Sequence, residues 1–386
     1  MKCIINGRIL LPDRELAGRE LWFDDRIRRI CFPGEETAVP EEVIDAGGAY
    51  VSPGLVDLHI HGYLGQDVSD GEKDGILSIA QGILRNGVTS WCPTTMTVSV
   101  SDLKQAFAVC RELRENQPSD SARILGVHAE GPFINASKKG AQAAEHILLP
   151  DKELIWKHQD ILRLITLAPE VSEQGMDFIR WVSQETGIVV SLGHTSADYE
   201  TACKAYDCGA RHTTHLFNAM TGLQHRAPGV VGAALSVPQV SCELIADTFH
   251  VHPGLFRLLY QIKKSRLVLI TDCIRAGGLS DGEYTLGGQD VSVHGIECRL
   301  RDGTIAGSVL TLDRAVWNLH KYGNVPLYCA VAAASYAPAR VLGEDRKIGS
   351  LRPGRNADLL LADSSFRIQK VFRMGQEVFN ARKRQD

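Results

Sequence analysis

The residues best suited to chemistry in this sequence are histidines and carboxylates that end short apolar runs. His59 and His61 belong to the run 55–61. Successive side chains of a strand alternate between its two faces, so these imidazoles share one face about 6.5 to 7 Å apart. Such a pair can hold a cation, but an isolated His-x-His is also compatible with two ordinary half-buried histidines. The rest of the chain must decide between these readings.

Four later residues also end apolar runs: Glu130, His194, His215 and Asp272. Each has an ordinary alternative, as a turn carboxylate, a helix cap or a core imidazole. Buried carboxylates and histidines that converge on one place are costly without a cation to balance them. Together with His59 and His61, these residues therefore predict a metal site.

The elements that must position these residues alternate between strand and helix. The predicted strands are 55–61, 88–92, 124–130, 162–168, 188–194, 211–216, 243–247 and 267–272, and helices are predicted at 101–115, 171–186, 196–208 and 253–264. Eight apolar strands that alternate with helices favour an α/β fold, a (β/α)8 TIM-like barrel. Active sites of such barrels lie at the carboxyl ends of the strands, where the candidate residues fall.

A second, smaller unit is expected from both ends of the chain. Residues 1–52 predict short strands with a hairpin turn at Asn6-Gly7, and residues from 345 to 386 predict further strands. We therefore expect a discontinuous β-sandwich domain from 1–52 and 345–386, with the catalytic barrel at 53–344. Within the barrel domain, 278–305 predicts hairpins, and 311–322 and 325–342 predict closing helices.

Composition narrows the class of protein. Of the 386 residues, 44% are hydrophobic and 23% charged, and the net charge of -4 gives no electrostatic case for nucleic acid. We expect no membrane partner, because no apolar run is long enough to span a bilayer. The ten cysteines include no Cys-x-x-Cys pair, which indicates buried thiols in a reducing compartment. A cytoplasmic enzyme with a small-molecule substrate is the expectation.

Several motifs together resemble one family. They are PGLVDLHIHG (53–62), VHAEGPF (127–133), LGHT (192–195), THLFNAM (214–220), IADTFHV (245–251) and ITD (270–272). The sequence resembles the N-acetylglucosamine-6-phosphate deacetylase family of the amidohydrolase superfamily over nearly its whole length. The resemblance implies metal-dependent hydrolysis of the acetamido group of that sugar phosphate, giving glucosamine-6-phosphate and acetate in amino sugar catabolism.

The resemblance also implies roles for individual residues. Glu130, His194 and His215 would hold the principal metal, His59 and His61 would complete a second position, and Asp272 would be the general base and acid. Substrate contacts would come from Ala141, Gln142, Asn218, Ala219, Arg226, Asp247, His250, Ile305, Ala306 and Gly307. One or two divalent ions per subunit are implied. The ligand types suit zinc and leave iron(II), manganese, cobalt and nickel open.

Family members are typically homodimers in which part of the phosphate site comes from the neighbouring subunit, so Arg226 or His250 would act across the interface. Two positions depart from some relatives, which have His at Gln142 and Glu at Ala227. Gln cannot carry charge, so a hydrogen bond to a sugar hydroxyl or carbonyl is the role left to Gln142.

Three alternatives stay open at this point. The substrate can be the galactosamine isomer. Another amidohydrolase acting on a cyclic or acyl amide would share the ligands, but usually with a metal-bridging lysine after the fourth strand, where this chain has Leu167-Ala168-Pro169-Glu170. A non-enzymatic barrel scaffold should have lost ligands that this chain keeps.

Overall fold

The computed structural model describes residues 1–384, which form a large parallel barrel and a second, mostly antiparallel sheet. The strands are β1 Lys2–Leu11, β2 Arg14–Phe23, β3 Ile27–Cys31, β4 Glu42–Asp45, β5 Tyr50–Pro53, β6 Leu55–Ile60, β7 Gly62–Tyr63, β8 Gln66–Asp67, β9 Val88–Thr95, β10 Arg123–Ile124, β11 Val127–Glu130, β12 Leu162–Leu167, β13 Val189–Leu192, β14 His212–Thr213, β15 Ser241–Ile245, β16 Leu267–Ile270, β17 Gly282–Leu286, β18 Gln289–His294, β19 Glu297–Leu300, β20 Leu359–Ala362, β21 Ile368–Arg373 and β22 Gln376–Asn380. The α-helices are α1 Lys73–Leu84, α2 Val100–Glu115, α3 Lys152–His158, α4 Gly175–Trp181, α5 Tyr199–Asp207, α6 Gly229–Ser236, α7 Phe256–Lys263, α8 Leu312–Gly323, α9 Leu327–Ala333 and α10 Tyr336–Val341. None of these helices combines the length and apolarity needed to cross a membrane.

Eight parallel strands form the barrel in the order β6, β9, β11, β12, β13, β14, β15 and β16, which confirms the predicted fold class. The ring closes between its ends, where Ile60 and Cys273 form a parallel bridge and the backbone N–H of Asp272 donates to the carbonyl of His59 at 2.8 Å. The short β10 extends β11 backwards along β9. Every residue of β6, β9 and β16 is buried, as expected for strands covered on both faces.

The barrel interior is partly polar just before the strand ends. Nε2 of His128 lies 2.8 Å from Oγ1 of Thr166, which lies 2.7 Å from Oγ1 of Thr214, and Ser191 joins the same hydroxyl at 2.6 Å. These side chains are all buried, so their hydrogen bonds offset the cost of taking them out of water. The network packs the barrel below the residues that end the strands.

The strands from the two chain ends join one eight-stranded sheet in the order β22, β21, β20, β5, β1, β2 and β3, with β4 also paired to β1. The pairing of β5 with β20 connects the two halves. A separate core lies under this sheet and includes Ile4, Val51, Leu359 and Phe372. The domain boundaries at 52 and 344 stay predictions.

The predicted hairpin turn at Asn6-Gly7 is wrong, because β1 runs without interruption from Lys2 to Leu11. Its pairing with β2 shifts register on both sides of Gly7, as at a β-bulge. A Cβ atom at Gly7 would lie 2.4 Å from Cγ2 of Val51. The glycine therefore serves close packing of β1 against β5 rather than a reversal of the chain.

Two predicted helices also differ in detail. The helix predicted at 171–186 begins only at Gly175, and its last turn, Val182–Thr186, is a π-helix. The helix predicted at 325–342 is divided into α9 and α10, with Ser335 between them. Neither difference moves a candidate site residue.

The predicted hairpins after the eighth barrel strand form a small antiparallel sheet of β17, β18 and β19. We call this sheet and the following segment 301–307 the lid. It packs Leu286, Val291 and Cys298 against Met96 and Ala141 at the barrel mouth. The lid therefore closes one side of the region where the candidate residues lie.

Candidate metal centre and active site

The six residues predicted for the metal site lie together at the carboxyl ends of five barrel strands. Glu130 is the last residue of β11, and His61 directly follows β6, which carries His59. His194, His215 and Asp272 each lie two residues beyond the end of their strands, β13, β14 and β16. All six residues are buried. The predicted strands 188–194, 211–216 and 267–272 thus extended two or three residues too far, but the side chains converge as expected.

The four imidazoles face the carboxylate of Glu130 through the same ring nitrogen. Nε2 of His59 lies 3.3 Å and Nε2 of His194 3.1 Å from Oε1, while Nε2 of His215 lies 2.9 Å from the same oxygen. Nε2 of His61 lies 3.2 Å from Oε2. Glu130 therefore lies between the pair His194 and His215 and the pair His59 and His61, where a bridging ligand belongs.

The outer nitrogens of three of these rings face acceptors. Nδ1 of His59 lies 3.0 Å from Oε2 of Glu243, Nδ1 of His61 lies 3.2 Å from the carbonyl of Thr94, and Nδ1 of His194 lies 2.8 Å from the carbonyl of Lys138. The ring proton belongs on Nδ1 in each case, which leaves the Nε2 lone pair directed inward. This arrangement fits a divalent transition metal ion, whose histidine ligands are held in the same way.

Three of the converging residues have left-handed backbone conformations. The φ angles of His194, His215 and Asp272 are 49°, 25° and 50°. Such conformations cost roughly 1 to 3 kcal/mol each for residues other than glycine and concentrate at functional sites. Here they turn each side chain into the barrel mouth after its strand has ended.

The charges of the cluster shift one another's protonation. Burial alone would raise the pKa of Glu130, but the imidazoles of His59 and His194 hold it well below its usual value. Burial opposes protonation of His61, yet Asp272 and Glu130 outweigh it and raise the pKa of His61 to about 9. The carboxylates of Glu130 and Asp272 thus favour positive charge between the four imidazoles.

A cavity of about 400 Å³ opens onto this cluster. Of the residues predicted to bind substrate, it is lined by Ala141, Gln142, Asn218, Ala219, His250, Ile305 and Gly307. Asp247 lies behind this lining, where its carboxylate accepts a 2.6 Å hydrogen bond from Nδ1 of His250 and holds that ring. Ala306 is fully buried in the lid core. Arg226 lies in an exposed segment and does not line the cavity.

Sequence reasoning missed two residues of the site. Glu243 is fully buried within the barrel and contacts both His59 and His212. An acid within the apolar run Cys-Glu-Leu-Ile was the available signal. Lys138 lines the cavity, and its ammonium has no ion-pair or hydrogen-bond partner among residues 1–384. No sequence pattern marks it, because it lies in a single 3-10 turn, Ala136–Lys138, between β11 and α3.

His128 and His212, which the sequence did not assign to the metal, are not part of the converging set. Burial and the charge of His59 lower the pKa of His128 to about 3, so this ring is neutral in the barrel interior. His212 points its Nε2 at Oε1 of Glu243, at 3.0 Å. Both rings support the centre from inside the barrel.

With this geometry established, comparison with known proteins decides the family. A model of the amidohydrolase family matches residues 50–378. The chain belongs to the amidohydrolase family. Members depend on metal, which agrees with the donor set described above.

This amidohydrolase is similar to deacetylases that are named for two isomeric amino sugar phosphates. It is 38% identical to an N-acetylgalactosamine-6-phosphate deacetylase of Escherichia coli O157:H7, over 95% of this chain and 98% of the relative. It is 36% identical to an N-acetylglucosamine-6-phosphate deacetylase of Vibrio furnissii, over 95% and 94%. A solved structure of the N-acetyl-D-glucosamine-6-phosphate deacetylase of Mycobacterium smegmatis, an Asp-to-Ala variant in complex with its sugar phosphate, has a TM-score of 0.90 at 30% identity and covers 98% of this chain and 99% of that one.

Proposed function

We propose that this amidohydrolase hydrolyses the acetamido group of N-acetylglucosamine-6-phosphate to glucosamine-6-phosphate and acetate, in amino sugar catabolism. The observation that carries the proposal is the convergence of four imidazoles, Glu130 and Asp272 beside a cavity large enough for a sugar phosphate. The relatives named above support the reaction type and the phosphorylated amino sugar.

Glu130, His194 and His215 would hold the principal ion in this proposal, and His59 and His61, which also face Glu130, would complete a second position. A ligand set of two histidines and one carboxylate suits zinc, and it also accepts iron(II), manganese, cobalt or nickel. A divalent ion at this place would polarise the amide carbonyl and make a water molecule acidic near neutral pH.

Asp272 is the proton carrier of the proposed reaction. Its Oδ1 lies 3.2 Å from Nε2 of His61 and 3.4 Å from Nε2 of His59, so the carboxylate faces the same point as the ligands. Burial opposes its ionisation, but the two imidazoles lower the pKa of Asp272 below its usual value. The ionised oxygen takes the proton of the attacking water and returns it to the departing amine, so acetate and the amino sugar leave in balance.

The remaining cavity residues orient the sugar phosphate. His250 is fixed by Asp247 and faces the cavity, where its ring, when both nitrogens carry a proton, can donate from Nε2 to the developing oxyanion or to the phosphate. Lys138 is the one lysine or arginine among the described residues that line the cavity, and we assign it the phosphate of its own subunit. Gly307 and Ile305 of the lid close over the sugar.

Arg226 acts across a homodimer interface in this proposal. Its segment is exposed in the single chain and lies outside the cavity lining. A guanidinium can bind two oxygens of a phosphate at once. Arg226 of one subunit would therefore bind the phosphate of a substrate that lies in the cavity of the neighbouring subunit. We also propose that the enzyme works in the cytoplasm, in keeping with ten free cysteines.

The galactosamine isomer is the second candidate substrate, since the relative from Escherichia coli O157:H7 is named for it at 38% identity. The deciding experiment is acetate release from N-acetylglucosamine-6-phosphate, its galactosamine isomer and unphosphorylated N-acetylglucosamine. We expect the first to be hydrolysed fastest. Faster release from the galactosamine isomer would assign the enzyme to that sugar, and equal rates without phosphate would contradict the role of Lys138 and Arg226. A purified protein that contains no metal and releases no acetate would refute the proposed enzymatic function.

A further inference from the structure

Glu243 occupies an unusual position inside the barrel. It belongs to β15, is fully buried and is not among the residues that line the cavity. Its Oε2 lies 3.0 Å from Nδ1 of His59 and accepts the backbone N–H of His215 at 3.0 Å. Its Oε1 lies 3.0 Å from Nε2 of His212. One buried carboxylate thus touches a histidine of each proposed metal position.

The contact with His59 differs from those of the other ligands. Nδ1 of His61 and Nδ1 of His194 each face a backbone carbonyl, which is a neutral acceptor. Nδ1 of His59 faces a carboxylate. A carboxylate behind a metal-binding imidazole fixes the tautomer and makes the ligand nitrogen more basic, and removal of such a partner costs 10- to 100-fold in metal affinity by general experience.

The contact with His215 has another character. Glu243 accepts the backbone N–H of His215, not its ring, so it supports the loop after β14 without acting on the nitrogen that faces the metal. An amide oxygen can accept the same N–H bond. Loss of the charge at Glu243 should therefore change the tautomer and basicity of the His59 ring much more than those of the His215 ring.

A second carboxylate provides a natural comparison. Glu170 accepts hydrogen bonds from the amide of Asn135, the hydroxyl of Thr195 and the backbone N–H of Ser196, at 2.6 to 2.8 Å. The N–H of Asn135 donates in turn to the carbonyl of His194. Glu170 therefore supports the loop that carries His194, a proposed ligand of the principal ion, and it does not contact His59.

We propose that Glu243 is the positioning residue for His59 and that its charge determines whether this enzyme holds a second divalent ion beside the first. This inference rests on the metal centre of the proposed function, not on the identity of the sugar. It assigns a role to a residue that touches neither substrate nor metal, and it separates the two positions energetically even though they share Glu130.

The test is a titration of metal-free full-length protein with Zn²⁺, with bound ions counted by native mass spectrometry and affinities measured by calorimetry. The wild-type protein is expected to bind two ions. The Glu243→Gln variant should bind the first ion as the wild type does and the second 10- to 100-fold more weakly. The matched control is Glu170→Gln, which removes a charge of the same type near His194 and should show no selective loss of the second ion.

Glu243→Asp serves as a conservative variant, because it keeps the charge and withdraws it from His59 by one methylene group. We expect its affinity for the second ion to lie between those of the wild type and Glu243→Gln, and it carries the test if the glutamine variant does not fold. Unchanged affinity for the second ion, or equal loss of both ions, would overturn the inference. A wild-type protein that binds no ion and releases no acetate would instead refute the proposed function.

Discussion

The side chain of Gln142 is held between the carboxylate of Glu130 and the backbone of Thr97. Its Nε2 donates a 2.6 Å hydrogen bond to Oε2 of Glu130, and its Oε1 accepts the backbone N–H of Thr97 at 2.6 Å. Gln142 is 1% exposed, so both contacts are shielded from water. The hydrogen bond to a sugar expected from the sequence stays a prediction, but both ends of the amide already have partners in the protein.

We therefore predict that Gln142→Leu lowers kcat/KM by roughly 10- to 100-fold, because Glu130 loses the partner that orients it. The buried N–H of Thr97 would also lose its acceptor, at a cost of roughly 1 to 3 kcal/mol in stability. Steady-state kinetics and metal analysis of the purified variant would check this. Gln105→Leu, a change on α2 remote from the cavity, is the control. Full activity of the Gln142 variant would contradict the orienting role.

The second prediction concerns Asp272. Asp272→Asn should fold and bind metal, since Glu130, His194 and His215 remain, but turnover should fall by about 10²- to 10⁴-fold, as expected for loss of a general acid and base. Single-turnover acetate release together with metal analysis separates the two effects. Turnover near the wild-type rate would remove Asp272 from the mechanism.

The third prediction concerns the phosphate. Lys138→Met should raise KM for the phosphorylated sugar by roughly tenfold or more, because one charge-assisted hydrogen bond to the phosphate is lost. The slow hydrolysis of the unphosphorylated sugar should not change. Lys139→Met is the matched control, because the ammonium of Lys139 donates to the carbonyls of Gly140 and Gln142 instead. An equal effect of Lys138→Met on both sugars would show that it does not bind the phosphate.

The fourth prediction concerns Gly193, which precedes His194. A Cβ atom there would lie 2.7 Å from Cβ of Thr214 and 2.9 Å from Cγ2 of Thr166, inside the barrel. Gly193→Ala should therefore destabilise the protein by roughly 1 to 3 kcal/mol and displace His194, with weaker binding of the first ion. Gly222→Ala, where nothing lies within 4 Å of the added carbon, is the control. Urea denaturation would measure the difference, and equal stability of the two variants would refute the packing argument.

The fifth prediction concerns the contact between the barrel and the terminal sheet. Nη1 of Arg123 lies 2.9 Å from Oδ2 of Asp358, whose side chain is 2% exposed, and Oδ1 of Asp358 accepts the N–H of Met374. Arg123→Met leaves a buried carboxylate without its charged partner, so we expect a loss of roughly 1 to 3 kcal/mol in the free energy of unfolding. Lys73→Met, which breaks the exposed pair with Glu112, should have little effect. Comparable losses in the two variants would contradict this assignment.

Much of the architecture could be predicted because its causes are local. Alternation of apolar runs with amphipathic helices predicted the barrel, and the residues that end those runs predicted the ligand cluster, since the carboxyl ends of parallel strands must meet at one mouth. Local patterns failed where a neighbour decides the outcome. Asn6-Gly7 has the composition of a hairpin turn, but packing against Val51 keeps β1 continuous.

The sequence by itself predicted the barrel, the residue types of the proposed metal ligands and the position of Asp272 among them. Only the tertiary structure decided which residue each proposed ligand hydrogen-bonds to, because these hydrogen-bond partners are far away along the chain. Glu243 lies 184 residues from His59, and its contact with that ring cannot be seen in any local pattern. The same holds for Lys138, which lines the cavity from a short 3-10 turn, and for Arg226, which lies outside the cavity of its own chain. Residue types carry the chemistry, but the long-range contacts of the fold set which nitrogen, carboxylate or ammonium is free to perform it.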